Sequence, residues 1–200
     1  PHTLSLHDAL PIWEEKYRNR TIPWDRGAVS PALLGWLNDG MVPDGRILIP
    51  GCGLGHEALE LARRGFQVTA LDIAPSALEH LAAELRAAGV EAERVCADAL
   101  TWQPARPFDA IYEQTCLCAL DPGHWPAYER QLFDWLRPGG KLLALFMQTE
   151  NAGGPPYHCG MPDMQSLFPP TRWQWPADAP GRVGHPNGFF EFAAILTRQD

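Results

Sequence analysis

Residues 47–55 read Ile-Leu-Ile-Pro-Gly-Cys-Gly-Leu-Gly, and the next apolar run, Val68-Thr69-Ala70-Leu71, closes on Asp72. A buried strand running into a glycine turn, then a helix, then a second strand ending on a carboxylate restricts the chain to α/β architectures. Glycine lets the backbone take positive φ and approach another group with no Cβ between them. In open α/β sheets, ligands sit beyond the carboxyl ends of the strands, where such turns lie. The pattern predicts a nucleoside ligand whose ribose hydroxyls are accepted by Asp72. The plainer alternatives are a turn that only needs positive φ, and an Asp72 that only caps the helix beginning beside Pro75.

The spacing narrows the ligand. A dinucleotide fingerprint places a third small residue beneath the pyrophosphate, in G-x-G-x-x-G/A. Here the order is Gly51-x-Gly53-x-Gly55, and bulky His56 occupies the third position. That suits a cofactor without a pyrophosphate, such as S-adenosylmethionine (SAM), better than a nicotinamide dinucleotide.

The 200 residues suffice for one domain with a substantial core. A net charge of −8, with no cluster of Lys and Arg, argues against a nucleic-acid surface. No apolar run reaches the roughly 20 residues of a membrane span. Cys52, Cys96, Cys116, Cys118 and Cys159 have no framework spacing and read as reduced intracellular thiols of a cytoplasmic protein. Cys116-x-Cys118 is neither a redox nor a zinc motif, and no metal site is expected. The oligomeric expectation is a monomer. Residues 1–12 show no steady period and no secretory signal, and are set aside as a tail, a candidate foreign extension, leaving 13–200 as the domain.

Periodicity predicts a short helix over Trp13–Arg18, an extended segment through Pro23, and a helix from Pro31 with Ser30 as its N-cap. Strands follow at Arg46–Ile49, Gln67–Leu71, Glu91–Cys96, Phe108–Glu113, Lys141–Phe146 and Gly188–Arg198. Helices are expected over His56–Arg64, Pro75–Ala88, Pro126–Leu136 and, short, over Met161–Phe168. Arg137-Pro138-Gly139-Gly140 reads as a stop and turn. Strands and helices alternating in this way give βαβ units and a largely parallel sheet.

Several segments together resemble the thiopurine methyltransferase-like family, its bacterial members and the plant thiol/halide/thiocyanate methyltransferases in particular. They are Trp13-(x3)-Tyr17, Pro23-Trp24-Asp25, Ile49-Pro50-Gly51-Cys52-Gly53, Tyr112 to Leu120, Leu136 to Gly140 and Gly153-Gly154-Pro155-Pro156-Tyr157. The resemblance implies a Rossmann-like class I methyltransferase fold, with a mostly parallel seven-stranded sheet and helices on both faces. It also implies SAM as cofactor, and methyl transfer to a small sulfur or halide nucleophile: a thiol, thiopurine, thiocyanate or halide. Carried over by position, the cofactor site comprises Trp13, Tyr17, Trp24, Gly51, Gly53, Asp72, Asp98, Ala99 and Gln114, and Tyr157 faces the acceptor. Two departures stand out: Cys116 where the family often has Phe, and a loose match of His185–Glu191 to the family's Gly-Arg-Glu.

Each residue has a plainer reading beside the functional one. Asp98 is an adenine reader or a solvated loop acid. Trp24 stacks on the cofactor or fills the core, and Trp13 and Tyr17 contact the cofactor or form an apolar helix face. Glu113 is a general base or, preferably, an orienting acid or cap. Tyr157 orients the nucleophile or packs a proline-rich lid. His124, His158 and His185 are loop histidines before they are catalytic ones. The rival functions are a NAD-type oxidoreductase, a SAM-binding module without turnover, and a methyltransferase acting on oxygen or nitrogen of a small metabolite.

Overall fold

A computed structural model describes the backbone of residues 6–200 and the side chains from Leu10 onward. The elements run α1 (Leu6–Arg18), α2 (Pro31–Asn38), β1 (Arg46–Pro50), α3 (His56–Arg63), β2 (Gln67–Asp72), α4 (Pro75–Ala88) and β3 (Glu93–Cys96). They continue as β4 (Phe108–Gln114), α5 (Trp125–Trp135), β5 (Leu136–Gln148), α6 (Met161–Leu167), β6 (Trp173–Gln174), β7 (Gly181–Gly184) and β8 (Phe190–Arg198). The sheet order is β3-β2-β1-β4-β5-β8-β6, with β7 also paired to β8. β1 to β5 pair in parallel, and β8 returns antiparallel to β5 along its whole length.

Strand alternation sorts the core onto two faces. Ile47 and Ile49 of β1 point with Val68, Ala70, Tyr112 and Leu143 to the face covered by Leu33 of α2, Ala58 and Leu61 of α3, and Leu78, Leu81 and Leu85 of α4. Leu48 points with Leu71, Ile111, Leu142 and Phe146 to the opposite face, covered by Tyr128, Leu132 and Trp135 of α5 and Met164 of α6. Each fully buried Leu contributes about 1.5–3 kcal/mol of transfer free energy. Helices therefore lie on both faces, as expected. α4 matches its expected limits, starting on Pro75 and ending on Gly89 at φ +68°.

Four expectations need correction. The sheet has eight strands, because β6 and β7 cover successive stretches of the outer edge of β8. These strands of two and four residues are too short to carry a period. Arg137-Pro138-Gly139-Gly140 lies inside β5, not before it. Leu136 pairs with Phe108 and Lys141 with Ala110, so the segment is an irregularity in the ladder, with Gly139 at φ +74°. Helix α1 begins at Leu6, within the segment set aside as a tail, of which residues 1–5 lie outside the described residues. Ser30 stands at the N-cap of α2, but its side chain makes no cap bond; its backbone N–H instead donates to Glu57 Oε1 at 2.9 Å.

Candidate functional site

The site is built at the carboxyl ends of β1, β2 and β4. Past Pro50 the chain turns through Gly51, Gly53 and Gly55, at φ +60°, +54° and +80°. Each takes a positive φ that favours glycine, and each is closely faced by a side chain. A Cβ on Gly51 would stand 2.9 Å from Cys116 Cβ, and one on Gly53 would stand 2.9 Å from the Tyr17 hydroxyl. A Cβ on Gly55 would stand 2.5 Å from Leu81 Cδ1, so this third glycine serves helix packing. The turn is tied to β2 by Cys52 N–H donating to the Leu71 carbonyl at 3.0 Å.

Asp72 ends β2 only 6% exposed. Its Oδ2 accepts the Gly53 N–H and its Oδ1 the Ala74 N–H, both at 2.9 Å. Burial pushes its carboxyl above the ordinary value, against the pull of these backbone donors. Asp72 is not the N-cap of α4, as its plainer reading had it: that position is Ala74, with no side-chain cap bond, and Asp72 instead bridges the glycine turn and the turn that leads into α4. Ile73 adds a third backbone donor to this carboxylate.

At the end of β3, the Ala97 N–H donates to the Asp72 carbonyl at 3.1 Å, which brings half-buried Asp98 and Ala99 beside the acid. Asp98 Oδ1 accepts the Leu100 N–H at 2.7 Å and shapes this loop. At the end of β4, the Gln114 amide is oriented from two sides. The Tyr112 hydroxyl donates to Gln114 Oε1 at 2.7 Å, and Gln114 Nε2 donates to Glu191 Oε2 at 2.8 Å. Thr115 follows at φ +62°, a strained setting for a β-branched residue, and such strain gathers at functional sites.

The amino-terminal segment forms a cover pinned by four long-range pairs. Glu14 of α1 accepts the Ser76 N–H at 3.0 Å and its hydroxyl at 2.5 Å. Asp25 pairs with His56 at 2.9 Å, so the bulky residue that spoils the dinucleotide spacing anchors the cover. Arg26 pairs with Glu191 at 3.3 Å and donates to the Gly184 carbonyl at 2.8 Å. The fourth is the Ser30–Glu57 bond. Beneath the cover, Trp13 and Tyr17 both meet Trp24 edge-on, at ring distances of 5.3 and 6.0 Å, and Lys16 lies 5.7 Å over the Trp24 ring. The Tyr17 hydroxyl is placed against Gly53, Trp24 packs edge-on against Tyr17, and Trp13 packs against Trp24.

The remaining candidates divide clearly. Tyr157 is half-buried, and its N–H donates to the Cys118 carbonyl at 2.7 Å, which places the Gly153–Tyr157 segment beside the turn after β4. Glu113 is buried, with Oε1 on the Leu117 N–H at 2.7 Å, and burial raises its pKa to about 8. It caps the turn after β4, the preferred of its two readings. His158 Nδ1 accepts the N–H groups of Thr149 and Glu150 at 3.2 Å, and His185 Nδ1 accepts that of Asn187, so both shape loops. The five cysteines are free. Among the described residues, no three His, Cys, Asp or Glu are grouped to hold a metal ion, and no helix is long and apolar enough to cross a membrane.

Glu14, Arg26 and Glu57 had no part in the sequence-derived site, and Glu191 entered it only as the end of the segment that loosely matches the family's Gly-Arg-Glu. The signal for Glu191 was its position: one acid inside the apolar run Phe189-Phe190-Glu191-Phe192-Ala193.

A family model described as Thiopurine S-methyltransferase matches residues 9–176. The chain is 31% identical to a probable thiol methyltransferase 2 of Arabidopsis thaliana, covering 86% of this chain and 78% of that one. It is 34% identical to thiocyanate methyltransferase 1 of Brassica oleracea, covering 80% and 72%. Its fold resembles that of the Burkholderia thailandensis 1,6-didemethyltoxoflavin-N1-methyltransferase, solved with S-adenosylhomocysteine, at TM-score 0.76 and 19% identity over 95% and 87% of the two chains.

Proposed function

The chain belongs to the thiopurine S-methyltransferase family and is a SAM-dependent methyltransferase, and from that premise we propose that it methylates a small sulfur nucleophile or a halide. The observation that carries this reading is the unit formed by Asp72, Gly53 and Tyr17 at the carboxyl edge. There, a buried carboxylate lies against a turn whose glycines leave no room for a Cβ. Asp72 holds the ribose, Asp98 and the Ala99 backbone read the adenine edge, and Gly51 and Gln114 flank the amino-acid end. Tyr17, Trp24 and Trp13 close over the cofactor, the Trp24 ring favouring a neighbouring cation by about 0.5–2 kcal/mol.

SAM supplies a methyl group already activated on a sulfonium. The protein's part is to align the incoming nucleophile opposite the departing sulfur and to exclude water, and such positioning removes on the order of 7–11 kcal/mol of barrier. Thiols with pKa near ~8.5 are partly ionised at neutral pH, so no strong base is demanded. This agrees with Glu113 being occupied as a cap. Tyr157 orients the acceptor from the Gly-Gly-Pro-Pro-Tyr segment.

The test is S-adenosylhomocysteine release across a panel of alkyl thiols, aromatic thiols, thiocyanate, iodide, and oxygen and nitrogen acceptors. Turnover with a member of the sulfur–halide group is expected. Turnover with oxygen or nitrogen acceptors alone, or SAM binding with no turnover on any acceptor, overturns the reading.

A further inference from the structure

Glu191 is fully buried at the carboxyl edge of the sheet, where β8 pairs with Met147 of β5. It touches both the sheet and the cover. Its Oε2 accepts Gln114 Nε2 at 2.8 Å and pairs with Arg26 Nη2 at 3.3 Å, while its Oε1 is buried with no partner among the described residues. The Tyr112 hydroxyl occupies Gln114 Oε1. The amide is therefore fixed in one flip state, and its second N–H is left for a ligand. A change at Glu191 thus reaches Gln114 on one side and the cover on the other.

We propose that Glu191 is a positioning residue that aims the free N–H of Gln114 into the cofactor site and, through Arg26, latches the amino-terminal cover over the bound cofactor. The proposal rests on the reading of this edge as the SAM site. The fit to SAM is independent of Glu191, since it comes from Asp72 and the glycine turn.

The latch has a built-in pH response. Burial raises the Glu191 pKa to about 7, against the pull of Gln114 and Arg26. The groups around it are Arg26 of the cover, Glu57 of α3, Tyr112 and Glu113 of β4, and the Cys118 and Cys159 thiols, both of which burial keeps neutral; His185, before β8, lies near Arg26. Glu57 and Glu113 also sit above their ordinary values, so Arg26 is the counter-charge that favours ionised Glu191. Ionised Glu191 attracts Arg26 and neutral Glu191 does not. The cover is therefore held more firmly as pH rises through neutrality.

The test is calorimetric titration of SAM into wild type, Glu191→Gln, Arg26→Ala and the double variant, at several pH values from mildly acidic to mildly alkaline. Wild-type affinity is expected to rise with pH. Glu191→Gln should lose that rise and bind about tenfold more weakly at the alkaline end, as for a lost charge-assisted contact. Arg26→Ala should cost a similar factor, with the double variant little worse than either, because both changes break one link. Additive losses, or a Glu191→Gln protein with wild-type affinity and pH profile, overturn the latch. If Glu191→Gln does not fold, Arg26→Ala leaves the sheet interior intact, and its affinity and pH profile decide alone. Asp72→Ala separates the two readings. Loss of SAM there with no loss at Glu191 or Arg26 removes only the latch, whereas a wild type that binds no SAM removes both.

Discussion

The Asp72 carboxylate accepts the Gly53 backbone N–H at 2.9 Å, so the acid that ends β2 and the turn that ends β1 form one rigid unit. Either feature alone has a structural use. The Tyr17 hydroxyl lies against the same glycine, so a residue of the amino-terminal cover meets this unit at the carboxyl edge of the sheet. The unit's geometry is set by the parallel register that places Pro50 opposite Leu71.

Replacing Gly53 by alanine should destabilise the fold for two separable reasons. The residue sits at φ +54°, which costs an L-residue roughly 1–2 kcal/mol. The new Cβ also meets the Tyr17 hydroxyl at 2.9 Å. Denaturant titration should show a loss in Gly53→Ala, with Tyr17→Phe added to it recovering the steric part alone. A Gly53→Ala protein as stable as wild type would contradict the role given to this turn.

Stability should fall as pH rises from mildly acid to mildly alkaline. Burial lifts Glu113 from 4.5 to about 8 and Glu191 from 4.5 to about 7. A carboxyl with a higher pKa in the folded state binds its proton more tightly there. Its contribution is complete below the unfolded value and is lost as pH climbs through the folded one. The slope reaches about 1.4 kcal/mol per pH unit for each group while it titrates. Asp109, held low by Arg137 and by the Arg46 N–H, acts in the opposite sense, but only below the ordinary carboxylate range. Urea midpoints should therefore decline between about pH 5 and about pH 8.5, and decline less in Glu113→Gln. A midpoint that rises over that window would show that these carboxyls are ionised without penalty.

Tyr157→Phe should raise KM for the acceptor by about two- to tenfold, the worth of one hydroxyl hydrogen bond, while SAM affinity stays unchanged. Steady-state kinetics with the acceptor that turns over fastest would check it. An unchanged KM would reduce Tyr157 to packing of the Gly153–Tyr157 segment.

Much of this was readable in the chain because the signals are local. Apolar runs beside glycine or proline marked β1, β2, β4, β5 and α4, and the Gly51–Gly55 spacing marked the turn that the structure ties to Asp72. Tertiary pairs carried the rest. Pro11 and the lack of a period hid the helix before Trp13, which docks through Glu14 on Ser76, 62 residues away. β6 and β7 exist only because β8 offers them an edge. Arg26 and Glu191 are 165 positions apart, and nothing near either one announces the other. His56 was read only as too large for a dinucleotide turn; its bond to Asp25 gives a large polar side chain there a use that the sequence did not announce.

The central claim is that SAM binds over residues 51–55 with its ribose on Asp72. Calorimetric titration of SAM into wild type and Asp72→Ala tests it most directly, with Asp72→Asn, which keeps one acceptor for the Gly53 or Ala74 N–H, as the milder variant. Wild type should bind one equivalent. Asp72→Ala should bind at least about tenfold more weakly, as expected for hydrogen bonds to a charged group, with Asp72→Asn between them. Equal affinity in a folded Asp72→Ala protein, or no heat from the wild type, would contradict the account.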